Sequence, residues 1–415
     1  MGKRVSLIGL CLVIAFVVGS ITAHADSPIR VLADQHTAQF AKGISFRIVA
    51  EADQPIQSVT LYYGEQKGDV TNRVVPSFTP GQHIEATYDK PLERGEIPPG
   101  TVMEYHWRLQ LADGTLQDTE PQVFSYDDDR FPWQPVQAGN LTVLYYGGDA
   151  QKTLAQELLS RAQETLSRLQ TEIGITLQSP VHIYVYNSAE DMTAALSPRS
   201  QGFDEQVLTL GVAVSDDTLL LLGDHPEVQQ TISHELSHIV VGLATENPYS
   251  PVPRWLDEGL AMYAEGKLPA NNVTALQQAV KRDALISVRS LSSYTGDPQQ
   301  VDLYYGEVYS LVEYMLQTYG RDKMTALLQV FKQGALQDDA LQQVYHISLD
   351  TLDTQWRQSL GLGPRPTVTP TSAVAAVTPP APVQAQRSGL LCPLTGIIGA
   401  ITLAIGLALR RVLAS

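Results

Sequence analysis

The chain has 415 residues, enough for two or three folded units, and 44% of them are hydrophobic, enough to build cores. Its formal net charge of -16 argues against nucleic acid or anionic lipid as the main partner, because an acidic surface repels both. The only two cysteines, Cys11 and Cys392, lie in apolar terminal stretches, which excludes a disulfide framework for the folded part.

Lys3 and Arg4 precede a nearly all-apolar run from Val5 to Val18, and Ala23-His24-Ala25 follows as a small-x-small cleavage site. That order predicts a secretory signal peptide over residues 1–25, with Asp26 as the mature N-terminus. Residues 26–130 read as all-β. "ISFRIVAEA", "IQSVTLYYG", "HIEATYD" and "TVMEYHWRLQLADG" alternate apolar and polar side chains between turn clusters. Short strands at this spacing predict a β-sandwich of immunoglobulin or fibronectin type. Its histidines, His36, His83 and His106, are scattered and lack ligand spacing.

"DDDRFPWQP" marks the boundary to an α+β unit over residues 131–362. "LTVLYYGG" reads as a strand, residues 150–172 as an amphipathic helix, "VHIYVYNS" as a strand, and "QVLTLGVAV" with "TLLLLG" as a strand pair. Thr218–Gly223 is either the edge strand that pairs with a substrate backbone or a plain core strand. From Pro226 almost to Leu360 the periodicity is helical.

Residues 363–388 shift to Pro, Thr, Val and Ala and read as an extended stalk. Residues 389–409 carry no charge and are long enough for a transmembrane helix, and Arg410 and Arg411 open a short tail over residues 410–415. Basic residues mark the cytoplasmic side, so both ends of the chain predict a single-pass membrane protein with its folded part outside the cytoplasm.

His234-Glu235-Leu236-Ser237-His238 matches HExxH. Asp224 can cap its helix, Pro226 suits the first turn, and Glu227 completes a capping box. Residues four apart share one helix face, so both imidazoles reach one Zn²⁺, while Glu235 faces the metal-bound water as general base. The flanks Ile232, Leu236, Ile239, Val240 and Val241 make this a buried helix, in which two histidines and a glutamate need a partner that a metal supplies. Pro253 and Gly266 bracket a second helix, and Glu258 lies on its apolar stripe of Trp255, Leu256, Leu260 and Ala264. Such a carboxylate is a satisfied core group or a metal ligand, and a catalytic zinc needs a third protein ligand.

"HELSH" followed by "EGLA" in "WLDEGLAMY" resembles the gluzincin metallopeptidases, nearest to the peptidase-MA-like group and more distantly to aminopeptidase N and thermolysin. The resemblance spans about residues 140–360. It implies a zinc metallopeptidase, a hydrolase of peptides or proteins, with one Zn²⁺ per chain held by His234, His238 and Glu258. Aminopeptidases carry an acidic residue in an upstream strand, whereas the counterpart here, Gly211-Val212-Ala213-Val214-Ser215, has none, so their amine site does not carry over. The thermolysin-type Asp four residues after the glutamate ligand is replaced by Met262, leaving Asp257 and Glu265 as candidate partners for the histidines. The family's oxyanion donor, a Tyr or His on a later helix, corresponds best to Tyr305 in "YGEV", with Tyr304 as the alternative. Two other functions are compatible with the motif: a binding or adhesion module that has lost catalysis, and a zinc hydrolase of a non-peptide or cell-wall bond. The motif is silent on the oligomeric state.

Overall fold

The computed structural model describes residues 28–68, 70–197, 210–293 and 297–365. The expected signal peptide, membrane span and tail, and the stalk beyond residue 365, lie outside the described residues. Among the described residues no helix is long and apolar enough to cross a membrane.

The N-terminal region is built of strands: β1 (Ile29–Gln39), β2 (Gly43–Glu65), β3 (Asn72–Val74), β4 (Gly81–Pro91), β5 (Thr101–Leu111), β6 (Leu116–Asp118) and β7 (Gln122–Tyr126). Strand β2 joins them. Its first half pairs with β1 and β4, and its second half with β3 and β5, with register shifts between Glu51 and Ile56 and between Ile56 and Ser58. The two halves close on each other, since the Phe46 ring lies 5.3 Å from Tyr63 and 5.0 Å from Tyr105. The layering is that of a sandwich, but all seven strands belong to one hydrogen-bonded sheet. His36 stacks on Phe124 and His106 on Tyr62.

A second sheet follows. Strands β8 (Gln134–Ala138) and β9 (Leu141–Tyr145) lead into helix α1 (Asp149–Arg168), which ends in a π turn through Ile173 and at Gly174. Then come β10 (Val181–Tyr186), helix α2 (Ala189–Thr193), β11 (Gly211–Ser215) and β12 (Thr218–Leu222). The strand order is β11-β12-β10-β9-β8, with β10 parallel to β9 and β12. Alternation sends Ile183, Val185, Leu219 and Leu221 into the helical core, and Tyr184, Tyr186, Leu220 and Leu222 into the core shared with the N-terminal strands. With both faces buried, β10 and β12 are apolar at nearly every position.

The "DDDRFPWQP" segment is a buried joint between the two sheets rather than an exposed linker. Asp128 is wholly buried and accepts hydrogen bonds from Tyr186 Oη at 2.9 Å and Arg130 Nε at 2.7 Å. Asp127 accepts from Tyr184 Oη at 2.8 Å. Strand β12 is interior, between β10 and β11, and is buried along its length. Thr218–Gly223 is therefore not the edge; among the described residues the edge on that side is Gly211–Ser215.

The helical half comprises α3 (Val228–Thr245), α4 (Arg254–Glu265), α5 (Ala270–Arg282), α6 (Val288–Leu291), α7 (Val301–Tyr319), α8 (Arg321–Lys332), α9 (Gln337–Tyr345) and α10 (Leu349–Ser359). Helix α3 starts later than expected. Glu227 is its N-cap residue with no side-chain cap, and the expected Asp224–Glu227 capping box is absent, because residues 224–227 form a turn in which His225 Nδ1 accepts from the Glu227 N–H at 3.2 Å. Every residue from Thr231 to Val241 is buried. Helix α4 runs from Pro253 to a left-handed Gly266, as its bracketing residues predict. Gly259 permits its close approach to α7: a Cβ there would stand 2.6 Å from Val308 O and 2.5 Å from Val312 Cγ2.

Candidate metal centre

His234 and His238 sit one turn apart on α3, and α4 brings Glu258 against them. Glu258 Oε2 lies 3.4 Å from His234 Nε2 and 3.8 Å from His238 Nε2. Two donors each ~2.0–2.1 Å from one tetrahedral zinc would be about 3.3–3.4 Å apart. All three atoms are buried and none has a hydrogen-bond partner. Buried polar atoms are ordinarily paired, so these three converging orphans fit a metal.

The opposite edges of the two rings are held by carboxylates. His234 Nδ1 lies 2.8 Å from Glu265 Oε1, and His238 Nδ1 lies 3.0 Å from Asp257 Oδ2. A carboxylate at Nδ1 fixes the tautomer that leaves Nε2 as the ligand atom. Glu265 is steadied in turn: Arg161 of α1 donates to its carbonyl at 2.6 Å, and Arg168 donates to that of Ala264 at 3.1 Å. These two cations also satisfy the carbonyl end of α4.

Glu258 is held as a carboxylate. Burial alone would raise its pKa, but the adjoining imidazoles of His234 and His238 and the charge of Arg254 bring it down to about 2. Burial of Glu235 has the opposite outcome. Its side chain is 1% exposed, and desolvation pushes its pKa up against the nearby histidines and a backbone hydrogen bond from Ala213. A raised carboxylate is better suited to exchanging protons. Strand β11 passes directly over it, since a Cβ at Gly211 would stand 3.1 Å from Glu235 Cγ and 2.5 Å from Thr231 Cγ2. The candidate general base thus lies between the histidines and the sheet edge.

Of the α7 tyrosines, Tyr305 sets its ring 6.2 Å from that of His234, nearly edge-on at 75°. Tyr304 is packed beneath it and donates to Leu291 O at 3.3 Å. Tyr309 donates to Glu313, and the Tyr314 ring lies against Tyr319. The structure therefore brings His234, Glu235, His238, Glu258 and Tyr305 together, with Asp257 and Glu265 behind the rings. Arg254, whose Nη2 stands 3.2 Å from Glu258 Oε1, belongs to the same site and is not part of the HExxH or EGLA motif. Its spacing of four from Glu258 on one helix is the signal that marks it.

A family model described as Peptidase MA superfamily matches residues 161–361. Among solved structures, the carbohydrate binding module of the muscle glycogen-targeting subunit of Protein Phosphatase-1 is 9% identical, over 24% of this chain and 76% of its own, at a TM-score of 0.19. A bromine derivative of BhCBM56 is 15% identical, over 22% of this chain and 99% of its own, at 0.15. The purple acid phosphatase PPD1 from yellow lupin (Lupinus luteus) seeds is 11% identical, over 39% of this chain and 32% of its own, at 0.19. These structural likenesses are slight. No curated protein matches.

Proposed function

We propose, from the match of residues 161–361 to the Peptidase MA superfamily model, that the chain is a zinc-dependent peptidase, anchored in the membrane with its folded part outside the cytoplasm. The observation that carries the catalytic reading is the buried convergence of His234, His238 and Glu258 with Glu235 beside them. The two terminal segments of the sequence carry the membrane reading.

When bound, zinc supplies a Lewis acid that polarises a carbonyl and brings the pKa of water towards ~7. Glu235 Oε1 takes a proton from the attacking water and delivers it to the leaving amine. Asp257 and Glu265 hold the imidazoles in orientation. The edge that β11 forms among the described residues pairs with an extended substrate backbone and lays the scissile carbonyl over Glu235. The Tyr305 hydroxyl donates to the oxygen that becomes negative. Retention of Glu235 beside a complete ligand set favours an enzyme over a binding module without catalysis.

A digest of proteome-derived peptides by the purified full-length chain tests this reading. Cleavage that a chelator abolishes and zinc restores is expected. Intact peptides under metal-replete conditions would contradict it and would leave a non-peptide bond as the target of the same chemistry.

A further inference from the structure

We propose that Arg254 is a positioning residue of the metal centre: it holds one oxygen of Glu258 so that only the other faces the two histidines. The inference rests on the metal-site reading above and deepens it. The two oxygens of this buried carboxylate have different surroundings. Oε1 lies 3.2 Å from Arg254 Nη2, and Oε2 lies 3.4 Å and 3.8 Å from the His234 and His238 Nε2 atoms.

The residue type and its place both suit the role. Arg254 opens α4 and stands one turn before Glu258, so both side chains share a face. Its side chain is 34% exposed while that of Glu258 is 2% exposed, so the guanidinium reaches inward from the solvent side. A guanidinium is planar and permanently charged, and it fixes the rotation of a carboxylate in a way that exchanging water does not. Four carboxyl groups, those of Glu235, Asp257, Glu258 and Glu265, stand around the two histidines. Arg254 adds positive charge at the one carboxylate that must bind the ion. Without it, Glu258 is free to turn both oxygens towards the metal, raising the coordination number from four. The same cation lies in the field of Tyr304 and Tyr305, so its loss also disturbs the side of the site that faces the substrate carbonyl.

The test uses the full-length protein, with zinc affinity measured by chelator competition and with Co²⁺ substituted for zinc as a spectroscopic probe. Arg254→Met is expected to weaken zinc binding roughly tenfold, the scale seen for groups that orient ligands. It is also expected to weaken the visible Co²⁺ absorption, as a higher coordination number does. Arg254→Lys keeps the charge without the planar fork and should fall between the two. Unchanged affinity and spectrum in Arg254→Met overturn the proposal, as does a rise in KM alone, which would assign Arg254 to substrate. If Arg254→Met does not fold, Arg254→Lys decides: an altered spectrum supports the proposal and an unaltered one overturns it. Failure of wild-type protein to take up metal would overturn the metal-site reading itself, before any variant is made.

Discussion

Glu265 Oε1 lies 2.8 Å from His234 Nδ1, so the imidazole is turned with Nε2 towards Glu258. Glu265 follows Glu258 by seven residues, two turns of α4, and both therefore point at α3. Glu265→Gln and Asp257→Asn should each lower metal affinity by roughly 10–100-fold. Competition titration with a chelating dye checks this, and affinity equal to wild type in both variants would remove the carboxylates from the site.

Glu235→Gln should retain metal and lose turnover. Glutamine is nearly isosteric and fills the same buried position beneath β11, but its amide cannot accept the proton. Metal content and peptide hydrolysis measured on one preparation check this. Hydrolysis at the wild-type rate would exclude Glu235 as the base.

Tyr305→Phe should lower kcat by roughly 10²-fold or more while leaving zinc content and melting temperature unchanged, because a donor aimed at the oxyanion acts in the transition state. Tyr304→Phe should instead cost stability, since its hydroxyl is tied to the Leu291 carbonyl. Loss of kcat in Tyr304→Phe alone would exchange the two roles.

Glu307 gives the fold a pH dependence. It is wholly buried on α7, and its carboxylate accepts from the Ile286 N–H at 3.0 Å and 3.1 Å. Burial raises its pKa from the ordinary 4.5 to about 8, against that hydrogen bond. Between these values the folded chain holds a proton that the unfolded chain has released. The stabilisation is complete below about 4.5 and is lost as pH rises through about 8. The wild-type Tm should therefore fall from pH 6 to pH 9, and Glu307→Gln should flatten that slope. Parallel slopes in the two proteins would contradict it.

The catalytic half was legible where spacing encodes geometry. HExxH at i and i+4 places two rings on one face, and Pro253 with Gly266 brackets the helix that carries Glu258. Legibility ended where tertiary pairing decides. Thr218–Leu222 and Gly211–Ser215 are both apolar strands, and only the sheet order makes the second the edge. The start of α3 was misplaced because His225 supplies a local acceptor that propensity arguments do not foresee. A single sheet folded on itself, with Asp128 buried at its junction to the next, depends on register shifts in β2 and on contacts between Tyr186 and a residue 58 positions away.

His234, His238 and Glu258 are proposed to hold one metal ion. Elemental analysis of the purified full-length chain tests it most directly. About one equivalent of zinc is expected in the wild type, and a marked loss in His234→Ala, His238→Ala and Glu258→Ala, each checked for folding by circular dichroism. A folded wild-type chain that cleaves peptides without bound metal would rule out a metal-dependent site.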